Sequence, residues 1–181
     1  MSAVAGSGSL PIARLTIQPF VGADVRDLRA LAAALTARVG ELAVAPPAEL
    51  PRSAFDARRG QYRAERLLDL LESREHEHVL GVTAADLYAG GLNFVFGIAT
   101  PAGRKALVSL ARLGMGTDRA GYAARMLKEA VHELGHTLGL GHCADARCVM
   151  RFSNSLADTD AKGDSLCARC RKRLESREAL A

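Results

Sequence analysis

The chain has 181 residues and a formal net charge of +4, from 24 Lys+Arg against 20 Asp+Glu. With 49% apolar and 24% charged residues, it has the make-up of one globular domain with a substantial core and not that of a disordered chain. No run approaches the roughly 18 apolar residues of a membrane span, and the charge excess is too mild to point to nucleic acid.

Residues 1–9, M-S-A-V-A-G-S-G-S, carry no basic n-region and only a weak apolar stretch, so they read as a flexible tail on a cytoplasmic protein. In a reducing compartment thiols stay free, and the four cysteines then suggest metal rather than disulfides. Residues 10–19 read as a first strand ended by Pro19. Residues 24–39 read as a helix capped by Asp24, with Leu28, Leu31, Leu35 and Val39 as its apolar stripe and Gly40 as its stop. A short strand, E-L-A-V, follows at 41–44, and the prolines and glycine of 45–60 predict a loop. Residues 61–73 read as a second helix and 78–84 as a strand. In G-L-N-F-V-F-G-I-A-T, 91–100, Leu92, Phe94, Phe96 and Ile98 alternate onto one face, a strand pattern. Residues 104–113 form another strand, broken by Gly114 and Gly116, and a long helix follows from about 120 to 138. This order predicts a single α/β or α+β domain over 1–181.

The long helix has two faces. Leu127, Val131, Leu134 and Leu138 form the apolar one; Arg125, Glu129, His132, Glu133 and His136 lie opposite. His132 and His136, at i and i+4, stack one turn apart and can reach one ion. H-E-x-x-H thus supplies two of the three protein ligands of a catalytic zinc, and Glu133 stands where a carboxylate can take a proton from water activated by the metal. Gly139 allows a sharp left-handed turn that swings His142 back to the same ion.

Cys143 follows at once. Cys148 comes next, then Cys167-Ala-Arg-Cys170, so C-x4-C and C-x2-C use every cysteine of the chain. That is a tetrahedral zinc pattern with no open position, which assigns 143–170 to a structural zinc subsite. Arg147, Arg169, Arg171, Lys172 and Arg173 stand beside these thiolates and can offset their charge. Met150, just past Cys148, suits an apolar floor under the first zinc.

Taken together, residues 132–170 resemble the archaemetzincins, a branch of the metzincin zinc peptidases, whose pattern is H-E-x-x-H-x-x-G-x3-C-x4-C-x-M, a spacer, then C-x-x-C. The resemblance implies a compact metzincin-like domain with a mixed twisted sheet and helices. It implies a catalytic zinc on His132, His136 and His142, Glu133 as general base, a structural zinc on Cys143, Cys148, Cys167 and Cys170, and Met150 in a Met-turn. It also implies a peptide or protein substrate bound as an extra strand along a sheet edge, for which 91–100 is the candidate. A monomer with two zinc ions is the expectation.

A second reading makes the chain a non-catalytic zinc module that binds protein or nucleic acid through the thiolate site and the basic tail. Glu133 argues against it, since a structural site needs no base. A third is a zinc hydrolase of non-peptide substrates. His76 and His78 read as a solvated turn before a strand, and Tyr122 as a partly buried helix residue rather than a cleft group.

Overall fold

A computed structural model describes residues 8–74 and 76–178. The tail expected over 1–9 lies outside the described residues for 1–7; the Gly8 carbonyl accepts a 3.5 Å hydrogen bond from Arg38.

The elements run β1 (Arg14–Pro19), α1 (Val25–Thr36), β2 (Glu41–Val44), a 3-10 turn (Arg52–Ala54), β3 (Phe55–Asp56), β4 (Gln61–Arg63), α2 (Ala64–Leu70), β5 (Glu77–Thr83), β6 (Leu87–Tyr88), β7 (Gly97–Ala99), β8 (Lys105–Ser109), α3 (Arg119–Thr137), α4 (Leu156–Ala161) and α5 (Ala168–Glu178). The main sheet has the order β2-β1-β5-β8-β7. It is parallel except for β7, which runs antiparallel to β8 at the edge. A small sheet, β3-β4-β6, stands beside it. This is the α/β architecture the element order implies.

Strand alternation divides the core between the two faces of the main sheet. Leu15, Ile17, Leu80, Val82, Ala106 and Val108 pack with the apolar sides of α1 and α3. Val79 and Leu107 pack the other way, with Leu67 and Leu71 at α2.

Asp24 caps α1, its carboxylate accepting from the Arg26 amide at 2.7 Å, and Leu28, Leu31 and Leu35 are buried. The helix ends at Thr36, short of Val39: the Arg38 and Val39 amides both turn back to the Leu35 carbonyl, and the Gly40 amide then leaves the helix and donates to the Ile12 carbonyl at 2.9 Å. The stretch 45–60 is not all loop, since it holds the 3-10 turn and β3. The second helix begins at Ala64, not 61, because Gln61–Arg63 pair between β3 and β6. The long alternation of 91–100 reduces to the three-residue strand Gly97–Ala99, preceded by a single bridge from Val95 to Leu87. Gly90 and Gly91 take positive φ, while Phe94 and Phe96 meet edge to face at 5.2 Å, so their shared side reflects a cleft wall rather than a strand.

Candidate metal centre and active site

The polar face of α3 is buried as deeply as the apolar one: Arg125, Glu129, His132 and Glu133 are all at most 5% exposed. The segment after Met150 covers it. Arg125 forms a two-pronged pair with Asp160, at 2.7 and 2.6 Å, and also donates to the Leu113 and Met115 carbonyls. Lys162 reaches Glu129 at 2.9 Å, and the Thr159 hydroxyl donates to the same oxygen at 3.1 Å. Charge on that face is therefore paired everywhere except around the histidines and Glu133.

α3 ends in a turn that the sequence anticipates. Gly139 has φ +82, its amide donates to the His136 carbonyl, and the Leu140 amide donates to the Gly135 carbonyl. This is a Schellman closure, which satisfies the last carbonyls and reverses the chain. His142 is thereby brought to within 5.4 and 5.0 Å of the His132 and His136 rings, centroid to centroid.

The ring orientations are fixed from behind. His132 Nδ1 is 2.8 Å from the Val149 carbonyl, and His136 Nδ1 is 2.8 Å from the Leu140 carbonyl. A carbonyl can only accept, so both Nδ1 atoms carry the proton and both Nε2 atoms present lone pairs. Those Nε2 atoms are 3.1 Å apart, and one donor atom from each of the three histidines lies within 4.8 Å of the others. Ligands at about 2.05 Å from a tetrahedral zinc stand about 3.3 Å apart. Two lone pairs facing at this range repel unless a cation lies between them, so the residues fit the metal. Burial also keeps the rings neutral. It pulls His132 down to about 3, helped by the Lys162 charge, and lowers His136 and His142 in the same sense.

Glu133 faces a cleft of about 370 Å³ that His132, His136 and His142 also line. Burial, then the neighbouring Glu129, push its carboxyl well above the usual range, while Lys162 acts against them. It lies hard against β7: a Cβ on Gly97 would fall 2.8 Å from Glu133 Oε1 and 2.6 Å from the Leu107 carbonyl oxygen. Only glycine lets the edge strand and the carboxylate approach this closely.

The four cysteines converge as the spacing suggests. Cys143 and Cys167 sulfurs are 3.8 Å apart, and so are those of Cys148 and Cys170. Zinc–sulfur bonds of 2.3 Å at tetrahedral angles give S···S of about 3.8 Å. Burial alone would raise the Cys143 thiol, but the Arg169 guanidinium at 3.2 Å and nearby donors outweigh it and bring it down to about 7. Burial raises Cys148 and Cys170. Of the five cations expected to offset the thiolates, Arg169 contacts a sulfur directly; Arg171 donates to the Leu166 carbonyl at 2.7 Å.

Met150 is fully buried beneath α3, and a Cβ on Gly135 would fall 2.3 Å from its sulfur. Its carbonyl accepts from the Cys143 amide at 2.9 Å, which ties the floor of one cluster to a ligand of the other. Tyr122 stands away from the cleft and bonds Asp27 at 2.9 Å. His78 lies on β5, half-buried, and outside both clusters.

Three residues escaped the sequence reading. Lys162 sits in a polar stretch with nothing to mark it as buried. Glu129 was placed on the polar face, but its partner is 33 positions away. Gly97 was absorbed into an alternating pattern. α4 did carry a signal, Ser155-Leu-Ala-Asp158, a capping motif in which the Ser155 hydroxyl accepts from the Asp158 amide at 3.2 Å.

The model of peptidase family M54 matches residues 37–176. The archaemetzincin of Methanocaldococcus jannaschii is 44% identical over 173 residues, covering 92% of this chain and 95% of that protein. The archaemetzincin of Methanopyrus kandleri is 52% identical over 130 residues, covering 71% of this chain and 74% of that protein. In three dimensions the crystal structure of archaemetzincin from Archaeoglobus fulgidus matches with a TM-score of 0.82 at 40% identity, over 88% of this chain and 99% of that one. Family model, sequence relatives and backbone agree over most of the length, and the chain belongs to peptidase family M54, the archaemetzincins, and is a zinc metallopeptidase.

Proposed function

We propose that the chain hydrolyses peptide bonds at a single zinc held by His132, His136 and His142, with Glu133 as general base. A second zinc on Cys143, Cys148, Cys167 and Cys170 is structural. Zinc at the first site supplies Lewis acidity, acidifying water and polarising a carbonyl. Glu133, one residue after His132 and facing the same cleft, takes the proton from the attacking water and passes it to the leaving amine. The carbonyls of Val149 and Leu140 hold the imidazoles in the metal-binding tautomer. Met150 supports His132 and His136 from below as the packed floor of α3.

β7 aligns the substrate. The Phe96 carbonyl and the Thr100 amide bond across to β8. Antiparallel alternation therefore turns the backbone groups of Gly97 and Ala99 outward, where an extended peptide can pair with them. Four thiols gathered without a disulfide suit a reducing, cytoplasmic setting.

The observation that carries this reading is the 3.1 Å approach of two lone-pair nitrogens in a cleft that also holds a carboxylate, Glu133, with no ion-pair partner among the described residues. The Glu133→Ala variant tests it: hydrolysis of peptides is abolished while zinc content stays at the wild-type value. Unchanged turnover in that variant refutes the role of Glu133.

A further inference from the structure

Glu129 and Lys162 are the unusual pair of this molecule. Each is 2% exposed, their charged atoms are 2.9 Å apart, and they join α3 to the end of α4. A buried ion pair is a weak source of stability, because desolvation of two charges offsets their attraction and apolar side chains serve as well. Its position says more. Glu129 lies one helical turn before Glu133 and lines the same cleft, whereas Lys162 reaches it from behind. Phe94, Val95, Phe96 and Phe152 give the cleft much of its apolar lining. Glu65, at the rim, is engaged by the Gly90 amide at 2.9 Å and by Arg63 at 3.4 Å.

We propose that the Glu129–Lys162 pair sets the side-chain preference of the cleft. Lys162 cancels the charge that Glu129 brings to the wall, so the cleft takes an apolar side chain of the peptide. This deepens the peptidase reading and rests on it. Without Lys162 the same wall is anionic and draws Lys or Arg. Without Glu129 it is cationic and draws Asp or Glu. Opposite charge recruits a side chain and like charge repels it, so each single change reverses selectivity in its own direction.

The test uses the full zinc-loaded chain as wild type, Lys162→Met, Glu129→Gln and the double variant. Each digests a random peptide library, with cleavage sites read by mass spectrometry. Each is also titrated calorimetrically with the hydroxamates of leucine, arginine and aspartic acid, which report the cleft without turnover. Wild type favours apolar over basic side chains by about tenfold, in the range that a single pocket contact gives. Lys162→Met inverts that preference towards Lys and Arg, Glu129→Gln shifts it towards Asp and Glu, and the double variant returns to apolar. Where Lys162→Met fails to fold, Lys162→Gln keeps a donor to Glu129 without the charge and carries the same expectation.

One preference shared by all four proteins, or none in wild type, overturns the proposal and leaves the peptidase reading intact. If no peptide is cut by wild type while the hydroxamate order still inverts in Lys162→Met, the peptidase reading falls and the role of the pair stands.

Discussion

Replacing Gly97 with alanine tests whether Glu133 must lie against the edge strand. The added Cβ falls 2.7 Å from Glu133 Cγ, 2.8 Å from Oε1 and 2.6 Å from the Leu107 carbonyl oxygen, where ordinary contact begins near 3.4 Å. The Leu107 carbonyl belongs to β8, held between β5 and β7, and does not yield. β7 must therefore draw back from that carbonyl, and the carboxylate, the softer neighbour, must shift by about 0.6–1 Å relative to the strand. A misplacement of that size in a reacting group costs on the order of 100-fold in rate. The overpacking costs about 1–3 kcal/mol in stability. Peptide hydrolysis under kcat/KM conditions, zinc content and a thermal melt, taken on the same preparation, measure all three quantities. The expected result is about 100-fold lower kcat/KM with zinc retained. Wild-type activity in a folded Gly97→Ala protein refutes the claim that the close approach positions the carboxylate.

Further expectations concern metal, floor and acid stability. Metal analysis of the pure protein finds two zincs per chain, one lost in His136→Ala and the other in Cys167→Ala; a single zinc in wild type contradicts the two-site assignment. Met150→Ala empties a fully buried site and lowers stability by about 2–5 kcal/mol in urea titration, as other large-to-small core changes do. Asp160 is held below its ordinary value of 3.8 by the hydrogen bonds of Arg125. Its folded carboxyl thus binds a proton less readily than the unfolded one, and its contribution is present above about pH 4 and lost as pH falls through the folded value. Asp160→Asn removes that part of the acid slope, worth about 0.5–1 kcal/mol for so exposed a partner. Denaturation curves between neutral pH and pH 3 that remain parallel for the two proteins speak against it.

The gathering of three histidines and of four cysteines was legible because it is local. H-E-x-x-H needs only helical periodicity, Gly139 only a left-handed turn, and C-x4-C with C-x-x-C only short loops, all visible in spacing. The sheet was legible where strands are long and buried on both faces, as in β5 and β8. It was obscured where backbone pairing is brief. β4 and β7 each have three residues, too few for a period to show, and their neighbours come from distant parts of the chain. The Glu129–Lys162 pair was invisible for the same reason: a lysine before a glycine looks like any surface lysine until α4 folds over α3. The buried state of the polar face of α3 also follows from that tertiary cover, which periodicity alone does not reveal.

His142 and Cys143 are consecutive, yet one faces the cleft and the other the sulfur cluster. A single peptide unit therefore belongs to both centres, and the amide that anchors it bonds the carbonyl of Met150. Whatever tightens or loosens the cysteine cluster is transmitted through one peptide unit to the imidazole of His142. The segment that carries Cys148, Cys167 and Cys170 thus acts as the tuning peg of the cleft: the placement of the His142 imidazole is inherited from the way the thiols are gathered.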